Sequence, residues 1–293
     1  MKTVLFLNFL AKSLRIKIFF SNFDPEFKLL QLLIRIVLTF ISAILLLTSC
    51  DFKLRSNYFL DADETKVEIL RFDRLQSRYL TTGDFSALQQ METDYPMETR
   101  ALIENVLRIG EVNNPNINKR FLTYFQDSTL QVMINDVQAE FANMDDLNEQ
   151  LNSSFSKLQR EVPGLSVPRV YAQIGALDES IVVGNDMIGI SLDKYMGENY
   201  PLYQKHYTLQ QRKSMTRDFI VPDCLCFYLV SLYPLDNFEQ RSQLDRDMYM
   251  GRMMWICNYL LGKDFFTMKY VKEFDKLQKT RKLSISQLLL GGA

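Results

Sequence analysis

Carboxylates are the side chains best placed to do chemistry in this chain, because it holds a single histidine, His206. A zinc helix of the His-x-x-x-His kind needs two imidazoles and is excluded, as is any other site that does. His206 lies in Tyr203-Gln204-Lys205-His206-Tyr207 and reads as a surface or packed residue rather than a base. There is no Gly-x-Ser-x-Gly elbow, no phosphate loop and no dinucleotide fingerprint. Asp186, Asp193, Asp218 and Asp223 fall near a small expected sheet and the helix after it. Two of them facing across a cleft would make an acid and base pair, but spacing does not select which two. Asp223 follows Pro222 and fits a helix cap instead. Tyr249, Gly251 and Arg252 put polar, small and basic residues on one helix: a salt bridge on a packed helix, or a cation lining a pocket. No catalytic residue and no metal ligand is assigned. Asp193, Asp223, Tyr249 and Arg252 are the candidate pocket or structural polar residues.

One cysteine carries a clearer chemistry. Ile36 to Leu47 is an uncharged apolar run of twelve residues behind Arg35, and Leu47-Thr48-Ser49-Cys50 follows directly. The run suits a secretory signal and falls short of the ~20 residues of a spanning helix. The four residues resemble the lipobox of bacterial lipoproteins. The Cys50 thiol would take a diacylglyceryl thioether, and cleavage would follow Ser49. The alternative is an ordinary membrane helix reaching back to Leu29, with Arg35 inside the span at a cost of a few kcal/mol. Both place the body outside the cytoplasm. Residues 1–28 make an unusually long prefix, so the start reads as placed too early. Asp51 followed by Lys53 and Arg55 is not the acidic cluster that accompanies surface export, so a periplasm-facing protein is expected. The covalent lipid is the only non-protein group expected, and the membrane is reached through it.

Charge divides the same way. The leader holds six basic and two acidic residues, which leaves 28 basic against 33 acidic from Cys50 onward. A mildly acidic body offers no footprint for nucleic acid. Cys224, Cys226 and Cys257 are odd in number, which argues against a disulfide framework. Cys224 and Cys226 would point to different faces of a helix, so they read as small core residues.

The elements that must position these residues follow from periodicity. Residues 1–49 read as the signal peptide, 50–65 as a tether and 66–293 as one domain. Val67 to Phe72 suits a strand and Asp73 opens a short helix. Asp84 to Val162 is helical in pattern, broken at Asn113-Asn114-Pro115, with Ser128 able to cap one helix. Arg169 to Ile174, Ser180 to Val183 and Met187 to Ser191 are short β-branched runs that read as strands, the last two joined through Gly184-Asn185-Asp186. Helix returns after Tyr200. Pro222 fits a first helical turn, and Leu244 to Leu261 forms another helix whose Gly251 permits close packing. The fold class is α+β, mostly helical, with a small central sheet.

Four segments carry a family resemblance. Ile190-Ser191-Leu192-Asp193-Lys194-Tyr195-Met196-Gly197-Glu198-Asn199-Tyr200-Pro201-Leu202-Tyr203 looks like the central signature of the gliding-motility lipoprotein GldB family of the Bacteroidetes. Ile69 to Asp73, Ile220 to Asp223 and Tyr249 to Met254 match further, so the likeness spans about residues 66–260. It implies an envelope lipoprotein supporting gliding and the associated protein secretion machinery, with envelope proteins of that complex as partners. Members also occur in non-gliding relatives. The family is distantly similar to a zincin-like protease shell, here with Ile220 to Leu229 in place of the metal helix and no histidines on it. Family members continue well beyond the Tyr249 helix, so the tail Ser284 to Ala293 reads as a truncation or a frameshift. The leading expectation is a non-catalytic accessory lipoprotein. A carboxylate-dependent or degenerate zincin-like hydrolase using Asp193 or Asp223 is the alternative, and a binding module for a small ligand or cell-wall fragment is the third.

Overall fold

The computed structural model describes residues 66–184 and 186–290. Cys50, the leader, the tether and the last three residues lie outside them. The described residues belong to one compact unit, Asp63–Ala293.

The first described residues correct an expectation. Val67 to Phe72 does not form a strand; only Leu70 bridges Tyr171. The Leu70 amide donates to the Val170 carbonyl at 2.9 Å and the Ala172 amide donates back at 2.9 Å. On either side the backbone bonds to a helix. The Val67 amide donates to Asn152 Oδ1, Asn152 Nδ2 donates to the Val67 carbonyl at 2.7 Å, and the Ile69 amide donates to Asn148 Oδ1 at 2.9 Å. Buried backbone groups need partners, and two asparagines one helical turn apart supply them.

Helix α1 (Phe72–Thr82) ends on left-handed Gly83, and α2 (Phe85–Thr93) starts at Asp84, whose carboxylate accepts the Ser86 amide. Helix α3 (Pro96–Arg100) widens into a π-helical turn, Ala101–Val106. Helix α4 (Ile117–Tyr124) precedes α5 (Ser128–Glu140) and α6 (Asp145–Glu161). The cap of α5 is Asp127 and not Ser128: its carboxylate accepts the Thr129 and Leu130 amides. Extended backbone at Asp127 aims an ionised acceptor at those donors, and Ser128 is already inside the first turn.

The sheet has three strands: β1 (Arg169–Gln173), β2 (Ile181–Gly184) and β3 (Met187–Ser191). β3 is central, parallel to β1 and antiparallel to β2. β1 and β3 are almost wholly buried, as a strand pair covered on both faces should be. After it come α7 (Pro201–His206), α8 (Leu209–Arg212), α9 (Ile220–Leu232), α10 (Gln243–Leu261), α11 (Lys269–Arg281) and α12 (Ile285–Leu289). Helix α9 packs on β2, β3, α6 and α10, and so carries Cys224, Cys226 and Leu225 into the core.

Gly251 of α10 faces Tyr270 of α11. A Cβ there would lie 2.8 Å from Tyr270 Cβ and 2.9 Å from its carbonyl carbon. Backbone cannot yield as a flexible side chain would. We therefore expect Gly251→Val to destabilise the protein by about 3 kcal/mol, the upper range for overpacking. Chemical denaturation checks it; an unmoved midpoint would mean that the two helices can separate freely.

Candidate functional site

The signature stretch after β3 folds around the loop Gly175–Glu179. That loop holds two successive non-glycine residues in left-handed backbone, Ala176 (φ 53°) and Leu177 (φ 65°). Asp193, fully buried, closes it: Oδ1 accepts the Gly175 amide at 2.7 Å and Oδ2 the Leu177 amide at 2.5 Å. Burial pushes the Asp193 carboxyl upward, against the pull of those two amides. Lys194 Nζ donates to the Leu177 and Asp178 carbonyls, each at 3.2 Å, and lies 3.2 Å from the Tyr207 hydroxyl. Tyr203 Oη donates to the Asp193 carbonyl and accepts the Met196 amide at 3.0 Å. Tyr200 Oη donates to Asp136 at 2.9 Å. Asp193, Lys194, Tyr195, Tyr200 and Tyr203 of this stretch are each bonded to another part of the chain.

Asp223 corrects a second expectation. It does not cap α9, whose N-cap residue Phe219 makes no side-chain cap bond. Its Oδ2 accepts a hydrogen bond from Tyr195 Oη at 2.8 Å. Burial drives the Asp223 carboxyl up to about 7, only partly offset by the Tyr195 hydroxyl. Burial, then the charge of Asp223, also lifts the Tyr195 phenol and the Cys224 thiol. Cys224, Cys226 and Cys257 are buried free thiols, and Cys224 follows Asp223 directly. Asp193 and Asp223 share no hydrogen-bond partner: Asp193 holds the Gly175 and Leu177 amides and Asp223 the Tyr195 hydroxyl.

Tyr249 and Arg252 do meet. The Arg252 guanidinium lies 5.7 Å from the Tyr249 ring, whose hydroxyl donates to the Tyr233 carbonyl at 2.9 Å. Arg252 has no carboxylate within salt-bridge distance among the described residues, and its buried Nε has no partner there. Of the salt bridge and the pocket-lining cation, the salt bridge is not formed among the described residues. Asp186, Asp218 and His206 are exposed.

A buried polar row on the sheet escaped sequence reasoning. Glu98 of α3 is fully buried, with Arg169 Nη2 3.2 Å from its carboxylate. Two residues on, the Tyr171 ring lies over Gly189 of β3, where any Cβ would come within 2.5 Å of the phenol. Burial, then the Glu98 charge, pushes that phenol upward. Gln173 Nε2 donates to Ser191 Oγ at 3.2 Å. A cavity of about 100 Å³ opens beside Tyr171, bounded by Asn105 of the π-turn and by Val182 and Gly184 of β2. The π-turn was the available signal, since such turns collect at functional positions, but the sequence does not reveal it. Among the described residues, no three His, Cys, Asp or Glu side chains are grouped to hold a metal ion.

The profile of the family "Gliding motility protein GldB" matches residues 57–282, most of the chain. The chain belongs to the GldB family. No curated protein and no solved structure matches it. The matched range takes in the tyrosine-rich wrap around Gly175–Glu179, with Asp193 at its centre. Of the other segments singled out in the sequence, Ile69 to Asp73 runs beside β1 and Asp223 reaches Tyr195, while Tyr249 bonds to the Tyr233 carbonyl. The likeness to a zinc-protease shell has only the sequence resemblance behind it. No helix among the described residues is long and apolar enough to cross a membrane.

Proposed function

We propose that this GldB-family chain is a lipid-anchored envelope protein, periplasm-facing, that supports gliding or the coupled protein secretion by holding partners rather than by catalysis. What supports this reading most is how the polar side chains around Gly175–Glu179 are used: Asp193, Lys194, Tyr203 and Tyr207 are bonded to the chain's own backbone or to one another. Fixing a loop's shape in this way suits a recognition surface. The lipid would sit on Cys50, as its lipobox implies.

Metabolic labelling with a clickable fatty acid is expected to mark the wild-type chain and not Cys50→Ser, and only the wild type should stay with membranes. A pull-down of the labelled protein is expected to enrich envelope proteins of the motility or secretion complex. An unlabelled wild-type chain in the soluble extract would end the anchoring part. Purified protein that turns over peptide or glycan would end the non-catalytic part.

Asp223 favours a second reading. A carboxylate near neutrality beside a phenol is a plausible general base for a hydrolase. That reading requires turnover that is lost in Asp223→Asn.

A further inference from the structure

Charge is segregated within the body. Lys269 to Lys282 carries six basic and two acidic side chains, while the rest from Cys50 onward carries 22 basic and 31 acidic. A net +4 on one short segment of an otherwise acidic protein is a surface fitted to an anion. Lys269, Lys272, Lys276 and Lys279 recur at three- and four-residue spacing along α11, all exposed, and the buried Val271 and Phe274 occupy its opposite side. Lys269 is paired with Glu273 and Lys279 with Asp275. Among the described residues no carboxylate lies within salt-bridge distance of Lys272, Lys276, Arg281 or Lys282. Leu277 stays 42% exposed on the same helix.

Beside the lysines lies a groove of about 380 Å³ that Lys279 and Lys282 share with Trp255 and Tyr259. The two rings stack at 5.9 Å and 13°, and Tyr259 is 40% exposed. The groove's acids are already engaged: Trp255 Nε1 donates to Asp275 at 3.2 Å and Tyr259 Oη donates to Glu161 at 2.7 Å. Trp and Tyr with one wet edge, next to lysines on long apolar stems, are the side chains that settle at the headgroup level of a bilayer.

We propose that α11, with Trp255 and Tyr259 of α10, is a docking face for the anionic phospholipid headgroups of the membrane that carries the protein. It adds a second membrane contact to the lipid on Cys50, and it rests on that reading only for the nearness of a bilayer. Each lysine near an anionic surface contributes roughly a fivefold factor to binding. Four such residues hold the body down when the anchor has already brought it close.

The test is lysine acetylation footprinting of the full chain reconstituted into vesicles. Lys272, Lys276, Lys279 and Lys282 are expected to be protected in phosphatidylglycerol vesicles relative to exposed Lys119 and Lys205. That protection should vanish in phosphatidylcholine vesicles and at high salt, which screens surface charge. In Lys272→Glu/Lys276→Glu, a surface change that leaves the core alone, protection at Lys279 and Lys282 should be lost as well. Equal labelling in both vesicle types overturns the proposal, as does protection that appears only in native membranes, which would point to an acidic protein partner. Mass spectrometry of the same sample reports whether Cys50 carries lipid, so a failed anchor is read separately from a failed footprint.

Discussion

Asp193→Ala is expected to be among the most damaging substitutions in this protein, costing about 4 kcal/mol or more. The carboxylate is the acceptor for two amides, Gly175 and Leu177. Stripping a partner from a buried donor costs about 1–3 kcal/mol each. The loop between them also holds Ala176 and Leu177 in left-handed backbone, at roughly 1–2 kcal/mol per residue, and the carboxylate is what offsets that strain. Asp193→Asn retains an acceptor oxygen for one of the two amides and should fall between. Urea denaturation ranks the three proteins, and amide exchange at Gly175 and Leu177 locates the damage. If the alanine variant kept its midpoint and its protection there, the loop would be held by something other than this side chain.

Asp223→Asn should reshape the dependence of stability on pH. The unfolded carboxyl titrates near 3.8, as a free aspartate does, and the folded one at about 7. The folded state therefore holds the proton more tightly. The stability this group contributes is fully present below about 4 and is lost as pH rises toward 7. Three units correspond to about 4 kcal/mol at most. Asparagine cannot ionise, yet its carbonyl can still accept the Tyr195 hydroxyl. The variant should match the wild type near pH 5 more closely than at pH 8, where it should be the more stable of the two. Comparing denaturation midpoints at those two pH values cancels the other titrating groups common to both proteins. Parallel pH profiles for the two would show that Asp223 ionises normally.

The strands were legible because each is a short β-branched run closed by Gly, Asp or Ser, and the observed β1 to β3 fall within a residue or so of those runs. Gly251 was legible because a glycine on the packed face of a long helix has few other reasons to be there. What failed were inferences whose deciding partner is remote. Val67 and Ile69 look like a strand, and nothing nearby in sequence says that Asn148 and Asn152 will take their amides. Asp223 after a proline has the local look of a cap, and its actual partner, Tyr195, is 28 residues away. Glu98 sits in an unremarkable Pro96-Met97-Glu98-Thr99-Arg100, and only the fold brings Arg169 onto it. Asp193 and Asp223 stood out as candidate pocket or structural polar residues, but spacing could not say that each has its own partners.

The asparagine clamp on Val67 and Ile69 has a mechanical consequence. Among the described residues, a pull from the amino-terminal side meets Val67 before α1, and there Asn152 grips both its amide and its carbonyl. The load then passes to Ile69 and to the Leu70 bridge, and so into α6 and β1 together before α1 is strained. A protein tugged through its leash would thus share the force between a long helix and the sheet, instead of peeling open from one end.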